Sequence, residues 1–288
     1  MSLKSCLRSI YHTLPFKLTG IRKLYLEIQN AWDKNRVVVK QIDGICYELH
    51  LNEYIDSEIF HYDCFEKDTT EAIRKSLRPG MTVFDIGANI GAHVLPMAKI
   101  VGPQGKIIAF EPMQWAQKKL IRNVELNDFS NIVIENIALS NKTETKPAAF
   151  RASWNKFDAA DTGTEEERTL QFEKLDDYIH TRHVQTVDFI KLDVDGFEYK
   201  ILESAVGTLK KFKPTISMEL GNWTLEKQGD SLLGLVNFLF ALDYRFLRES
   251  DFELLEDFNA LMREFPDPNT WTINVIVVHS SKEQEWRN

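Results

Sequence analysis

Apolar residues recur in this chain with two different spacings, and the switch between them divides it. Leu3, Leu7, Ile10 and Leu14 fall three or four residues apart and Pro15 breaks the run. Ile21, Tyr25, Ile28 and Trp32 resume it, which predicts an amphipathic helical extension over residues 1–36. A strand at 37–42 follows, then Asp43-Gly44, then a strictly alternating segment at 45–51; Asp-Gly between two such runs is a two-residue hairpin signal. A helix at 69–77, stopped by Pro79-Gly80, completes an entrance segment of residues 37–80.

From residue 81 the pattern becomes strand and helix in alternation. Strands are predicted at 81–85, 106–110, 132–137, 187–193, 215–219, 244–247 and 271–279. Helices are predicted at 91–101 through Val94, Met97, Ala98 and Val101, and at 115–127 through Ala116, Leu120 and Val124. Two more are predicted after residue 196, through Phe197, Ile201 and Ala205, and at 232–242. Strands alternating with long helices predict an α/β fold with a doubly wound, mostly parallel sheet over residues 81–288. Two stretches interrupt it. Residues 140–170 read as a polar, lid-like loop holding Trp154, Phe157 and Glu165-Glu166-Glu167, and residues 251–269 as an insertion with Leu254, Phe258, Leu261 and Phe265 at helical spacing. In sheets of this kind the ligand lies beyond the carboxyl ends of the strands.

Composition and charge narrow the classes. With 43% hydrophobic and 27% charged residues in 288, the chain is globular. A formal net charge of −8 argues against a nucleic-acid partner, which needs a basic face to meet phosphates. The charge is uneven: residues 1–30 carry Lys4, Arg8, Lys17, Arg22 and Lys23 against Glu27, so +4 there stands beside −12 elsewhere. A basic amphipathic helix can lie on an anionic membrane surface, which would suit a lipid-linked substrate; the alternative is that its stripe packs on its own domain or on a second copy of the chain. Cys6, Cys46 and Cys64 are scattered without a CxxC, so neither a disulfide framework nor a zinc site is predicted. The longest apolar stretch, 235–242, is too short to span a bilayer, and no secretory signal is read, so the expected location is cytoplasmic, with at most peripheral membrane contact.

The candidate chemistry sits at strand ends. The first strand of the sheet runs into Asp85-Ile86-Gly87-Ala88-Asn89-Ile90-Gly91, where glycines let backbone approach a ligand and Asn89 tolerates left-handed geometry. The next strand ends in Phe110-Glu111-Pro112, which places a carboxylate to accept from ribose hydroxyls. Together they point to a nucleoside-bearing cofactor; Glu111 alone reads equally well as a cap for the next helix.

DIGANIGAH at 85–93, AFEP at 109–112, NIALSN at 136–141, LDD at 175–177 and FIKLDVDGFEYKIL at 189–202 resemble the FkbM family of class I methyltransferases. CFEKDTTEAIRKSLRPG at 64–80 looks like that family's lead-in, so the resemblance covers roughly residues 37–220. It implies a seven-stranded Rossmann-like methyltransferase sheet and S-adenosylmethionine as cofactor. By that analogy Asp85, Gly87, Ala88, Asn89 and Gly91 hold the methionine end and Glu111 the ribose. Asn136 and Ala138 flank the adenine, Glu66 closes over the cofactor, and His93 touches cofactor or substrate. The family usually has Glu where Asp195 stands, so that carboxylate reaches about one methylene less far here.

The implied reaction moves a methyl group to a hydroxyl, of a sugar, a glycan or a related small molecule. A hydroxyl acceptor needs a base within hydrogen-bond reach, and Asp193, Asp195 and Glu219 are the candidates, with Asp193 first and Glu198 a turn later. Capping of the helix near Gly196 is the plain alternative for Asp193 and Asp195. Trp154, Trp223 and Trp271 can stack on sugar faces or fill core contacts. Two other functions stay open at this point. Asp193-Val194-Asp195 is also a DxD pattern, by which a sugar transferase holds a divalent metal, so Asp193 and Asp195 are the metal candidates although nothing in the sequence requires a metal. A nucleoside-binding module without catalysis is the third. Gly87→Arg is expected to abolish cofactor binding in a protein that still folds.

Overall fold

A computed structural model describes residues 27–151 and 165–286. The basic stripe of residues 1–26, Trp154 and Phe157 lie outside the described residues. Of the predicted N-terminal helix, residues 27–33 are helical.

The entrance segment folds as its turn chemistry dictates. β1 (Val37–Ile42) and β2 (Ile45–His50) pair antiparallel with Ile42 opposite Ile45, leaving Asp43 and Gly44 as the two-residue turn. Both take positive φ, 47° and 77°, the mirror-image turn that matches strand twist. β2 buries Ile45, Tyr47 and Leu49 on one face, as its alternation requires. α1 (Tyr54–Tyr62), which the sequence pattern did not announce, packs against β2, and α2 (Lys67–Ser76) follows. His61 of α1 binds Asp33 at 2.7 Å, Nε2 to Oδ2, with both side chains buried, and so fixes residues 27–33 to this segment.

The large domain then runs β3 (Thr82–Ile86), α3 (Val94–Val101), β4 (Lys106–Phe110), α4 (Gln114–Glu125) and β5 (Ile132–Glu135). Next come β6 (Ala138–Leu139), β7 (Glu144–Arg151), β8 (Glu165–Glu173) and α5 (Leu175–Thr181). β9 (Phe189–Leu192), α6 (Glu198–Glu203), α7 (Val206–Phe212), β10 (Thr215–Leu220), α8 (Asn222–Lys227) and α9 (Leu232–Ala241) follow. β11 (Tyr244–Arg248), β12 (Leu254–Leu255), α10 (Phe258–Met262) and β13 (Ile273–His279) complete it.

The main sheet has the order β12-β11-β13-β10-β9-β3-β4-β5. β5, β4, β3, β9 and β10 are parallel, and β13 is inserted antiparallel between β10 and β11. The sheet therefore has eight strands where seven were expected. The additional one is the two-residue β12 at the edge, drawn from the stretch read as a helical insertion, of which α10 keeps the helical part. Both faces are covered. Along β3, Val83 faces a core with Met97, Ala98 and Leu120 of α3 and α4, while Phe84 faces one with Tyr178 of α5 and Ile201 of α6. Each fully buried Leu, Ile or Phe contributes roughly 1.5–3 kcal/mol relative to exposure.

The lid-like loop at 140–170 is corrected. Its described residues form a separate three-stranded sheet, β6-β8-β7, with β7 and β8 antiparallel. The run ETKPAAFR in β7 and three consecutive glutamates at the start of β8 mask any apolar alternation; Ala138, Leu170 and Phe172 form a small cluster with partly buried Ala148, while Leu139 joins the main core. The predicted strand at 132–137 likewise divides: it leaves the main sheet at Glu135 and rejoins strand geometry in β6.

Candidate active site

The carboxyl ends of β3, β4, β9 and β10 open onto one cavity of about 520 Å³, roofed by α1 and the start of α2. Glu66, Asp85, Gly87, Ala88, Asn89, His93, Glu111, Asp193, Asp195 and Glu219 all line it. Three predicted residues do not. Gly91 has φ +89°, and a Cβ there would stand 2.6 Å from Leu120 Cδ1, so it serves the close packing of the loop on α4. Asn136 donates from Nδ2 to the Glu111 carbonyl at 3.2 Å and so braces the β4 loop. Ala138 lines a smaller apolar recess of about 50 Å³ with Ile86 and Phe110, which adjoins the main cavity at Gly87, Pro112 and Val194.

The glycine loop is set by contact with its neighbours. Gly87 N and Ala88 N donate to the Phe110 carbonyl at 3.1 and 3.0 Å. Gly87 has φ +88°, and a Cβ there would lie 1.9 Å from the Asp193 carbonyl oxygen, so the loops after β3 and β9 touch through bare backbone. Asn89 takes φ 47°, the left-handed geometry its short polar side chain tolerates. Its N–H donates to Glu111 Oε2 at 2.8 Å, while Met113 N–H donates to Glu111 Oε1 at 2.7 Å. Glu111 therefore ties the glycine loop to the start of α4 and also lines the cavity. Burial pushes its carboxyl up to about 7, against the pull of those two N–H donors.

Several buried polar atoms at this cavity have no protein partner: both oxygens of Asp85, Asn89 Oδ1 and Trp115 Nε1. Burial raises the Asp85 carboxyl, which Lys191 only partly offsets. Three orphaned acceptors beside one orphaned donor are what a ligand with an ammonium and a carboxylate would satisfy.

Lys191 was not anticipated, because a lysine in an otherwise apolar strand reads as an exposed face. It is buried, and its Nζ lies 3.0 Å from Asp193 Oδ2. Burial opposes its charge, but Asp193, Asp85 and Glu66 outweigh that and raise its pKa. Burial would likewise raise Asp193, yet Lys191 overrides it and holds that carboxyl below the ordinary range. Glu219 goes the other way. Burial first, then the negative charge of Asp193, keep it protonated, with Thr272 opposing through a 2.6 Å hydrogen bond from Oγ1 to Oε1. Glu219 and Asp193 face one cavity, and the negative charge on Asp193 opposes a second one on Glu219.

Asp195 stands at the exposed rim with φ 52°. Glu198 Oε1 takes two N–H groups of the loop that follows β9, Val194 at 3.1 Å and Gly196 at 3.2 Å. Glu66 Oε2 lies 3.4 Å from His93 Nε2, and Phe65 stacks on His93 with centroids 5.7 Å apart, so these groups close one wall. Tyr54, Phe65, Met113 and Trp115 complete the lining and carried no sequence signal beyond their apolar character. Among the described residues no group of three or more His, Cys, Asp or Glu converges as a metal centre, and Lys191 already engages the Asp193 oxygen a cation would need. Of the tryptophans, Trp223 is half-buried with Lys227 Nζ 4.2 Å from its ring centroid, while Trp271 is exposed.

A reversed strand beside a doubly wound sheet, with a glycine loop and acidic side chains at its carboxyl edge, is the Rossmann-like fold of class I methyltransferases. The Methyltransferase FkbM domain matches residues 85–246, more than half of the chain, and the chain belongs to that family. The match supports the methyltransferase reading over the DxD sugar-transferase one. Among solved structures, a methyltransferase FkbM from Methylobacillus flagellatus KT is 17% identical with a TM-score of 0.47. The alignment covers 95% of this chain and 58% of that one, so this chain spans little more than half of that relative's length. A putative methyltransferase from Streptococcus mutans, solved in complex with SAH, is 8% identical over 74% of this chain and 96% of its own, with a TM-score of 0.45. A putative transferase from Pyrococcus horikoshii is 13% identical over 96% and 97%, with a TM-score of 0.44. No curated protein matches the chain.

Proposed function

We propose that this protein uses S-adenosylmethionine to methylate a hydroxyl of a neutral, polyhydroxylated acceptor such as a sugar or glycan. The observation that carries the reading is the charge of the cavity. Six carboxyl groups, Glu66, Asp85, Glu111, Asp193, Asp195 and Glu219, surround one lysine; burial already raises Asp85, Glu111 and Glu219, so a bound sulfonium or ammonium is favoured and a further anion, such as a phosphate or carboxylate acceptor, is not. The orphaned atoms of Asp85, Asn89 and Trp115 fit the amino-acid end of the cofactor, Glu111 fits its ribose, and the apolar recess at Ala138 fits a flat base. When bound, the cofactor supplies an electrophilic methyl group, and the chain supplies alignment and a dry site. Asp193, held ionised by Lys191, accepts the hydroxyl proton.

Calorimetric titration with S-adenosylmethionine, with and without EDTA, tests the cofactor assignment; UDP-glucose with manganese is the rival ligand. Failure of S-adenosylmethionine to bind would overturn it, and loss of binding in EDTA would bring in a metal. With a methyl-accepting sugar, Asp193→Asn is expected to slow S-adenosylhomocysteine formation about 10²–10⁴-fold while cofactor affinity changes little. An unchanged rate would move the base elsewhere.

Glu111 gives a pH prediction. Hydroxyl donors need the ionised carboxylate, so cofactor affinity is expected to rise up to about pH 7 and then level off, falling by up to about tenfold per unit below it. Glu111→Gln should bind more weakly and lose that slope. In the free protein the sign is opposite: the unfolded carboxyl titrates at 4.5, so folding stability declines as pH rises from 4.5 to about 7. A pH series of titrations and urea melts separates the two.

A further inference from the structure

We propose that the helix at residues 27–33 and the outer face of β1 form a surface that docks on an anionic lipid bilayer. This goes beyond the methyl-transfer reading and does not depend on it. The helix carries its amphipathic pattern reversed. Gln29 and Asp33 are buried at 8% and 0% exposure, while Ile28 and Trp32 on the other side are each 49% exposed. Asp33 is held inward by its 2.7 Å contact with His61 of α1. β1 is apolar on both faces although the protein covers only one. Val38 and Ile42 pack inward, and Lys40 turns inward with them to donate to the Phe60 carbonyl at 2.6 Å, while Val37 and Val39 face out at 57% and 61% exposure. A lone exposed apolar side chain is ordinary on a protein surface. Here five of the eight large exposed apolar side chains among the described residues fall between Ile28 and Tyr54.

Contacts join the two elements. Arg36 leads into β1, and its guanidinium carbon lies 3.5 Å from the centroid of the Trp32 ring, while its carbonyl accepts from Leu51 N at 2.9 Å. The indole is thereby held against the residue that opens β1. Glu48 lies opposite Val39 in the register, and Arg122 Nε donates to its carboxylate at 3.1 Å, which offsets the one acid beside the valines. An indole under a guanidinium suits a headgroup layer, because the ring enters the apolar boundary and the cation meets phosphates. Charge selects the partner. Lys4, Arg8, Lys17, Arg22 and Lys23 precede the helix with no acidic residue among the first 26, and Lys34 and Arg36 follow it. With Glu27 and Asp33 counted, residues 1–36 carry +5 and the remainder −13. An anionic surface attracts this segment and repels the rest, so the bilayer meets the chain in one orientation. A second copy would bring the same positive segment to the same face. Asp33 ties this surface to α1, whose Tyr54 lines the cavity, so docking fixes the cavity's roof relative to the bilayer.

The test sediments the full chain with phosphatidylcholine vesicles, with and without phosphatidylglycerol. Binding is expected to the anionic vesicles alone and to weaken as KCl is raised. Trp32→Ser is expected to lower the partition constant roughly tenfold, and the double variant Val37→Ser, Val39→Ser by a similar factor. These side chains are exposed, so the urea midpoints of both variants should match the parent's. Brominated phosphatidylcholine in the anionic vesicles should quench tryptophan emission in the parent and quench it less in Trp32→Phe. The proposal is overturned if anionic vesicles leave the chain in solution, or if either serine variant binds them as tightly as the parent, since the basic stretch ahead of residue 27 would then act alone. A dimer in light scattering that Trp32→Ser dissolves would also overturn it, with a second copy covering the face.

Discussion

Gly87→Ala is expected to eliminate S-adenosylmethionine binding and to lower unfolding free energy by about 3 kcal/mol or more, from left-handed backbone strain and an overpacked contact together. The contact is severe because the atom in the way is the Asp193 carbonyl oxygen, 1.9 Å from the added carbon, and main chain cannot rotate aside. The loops after β3 and β9 must separate, and that movement displaces Asp193 from the cavity floor. Gly80→Ala is the control: its φ is +87°, yet nothing lies within 4 Å, so only the backbone term of about 1–2 kcal/mol applies. Urea unfolding of both variants, with calorimetry, gives the comparison. Equal losses would mean that the Gly87 contact relaxes freely. The sequence-based expectation that even Gly87→Arg leaves a folded protein is revised on the same ground.

Lys191→Met is expected to destabilise the protein by up to about 3–5 kcal/mol at pH 7, because it leaves buried Asp85 and half-buried Asp193 without their cation. In the parent, Asp193 has a depressed pKa, so its contribution is present above the carboxylate range and is lost on acidification. Removing the lysine reverses the sign. Asp193 then titrates above its unfolded value, so the variant should lose stability as pH rises and recover part of it near pH 5. Unfolding curves at pH 5 and 7 decide the point. A variant whose deficit stays constant between them would show that Lys191 acts through packing alone.

The sequence made the main sheet legible wherever strands are buried on both faces and read as apolar runs, as in FIKL of β9 or INVIVVH of β13. The cavity's acidic residues were legible for a related reason: a carboxylate at the end of such a run has few places to go. The small sheet was hidden because β7 and β8 bury little, and the pairing that holds them is backbone rather than apolar pattern. Lys191 and Thr272 were hidden for another reason. Their importance lies in which buried carboxylate each one touches, and sequence spacing carries no information on contacts made across a sheet.

The entrance hairpin is joined to the large domain in a way that bears on how the enzyme is built. β2 has a second edge that no strand among the described residues covers; Asn123 Oδ1 accepts its Glu48 N–H at 2.8 Å, and Asn127 accepts from Cys46 N at 2.9 Å and donates to Cys46 O at 2.8 Å. Asn123 also reaches the Ile90 carbonyl at 3.0 Å, beside the glycine loop. Two amide side chains thus do the work of a missing strand, and they seal an edge that would otherwise recruit other chains. The doorway that supplies Tyr54, Phe65 and Glu66 is held by these amides together with the Lys119–Asp56 ion pair at 2.6 Å and an apolar seam where Tyr47, Leu49 and Ile59 meet Ile90 and Leu95. It is thus welded to the large domain along its length, and the cavity's outer wall is as firmly set as its floor.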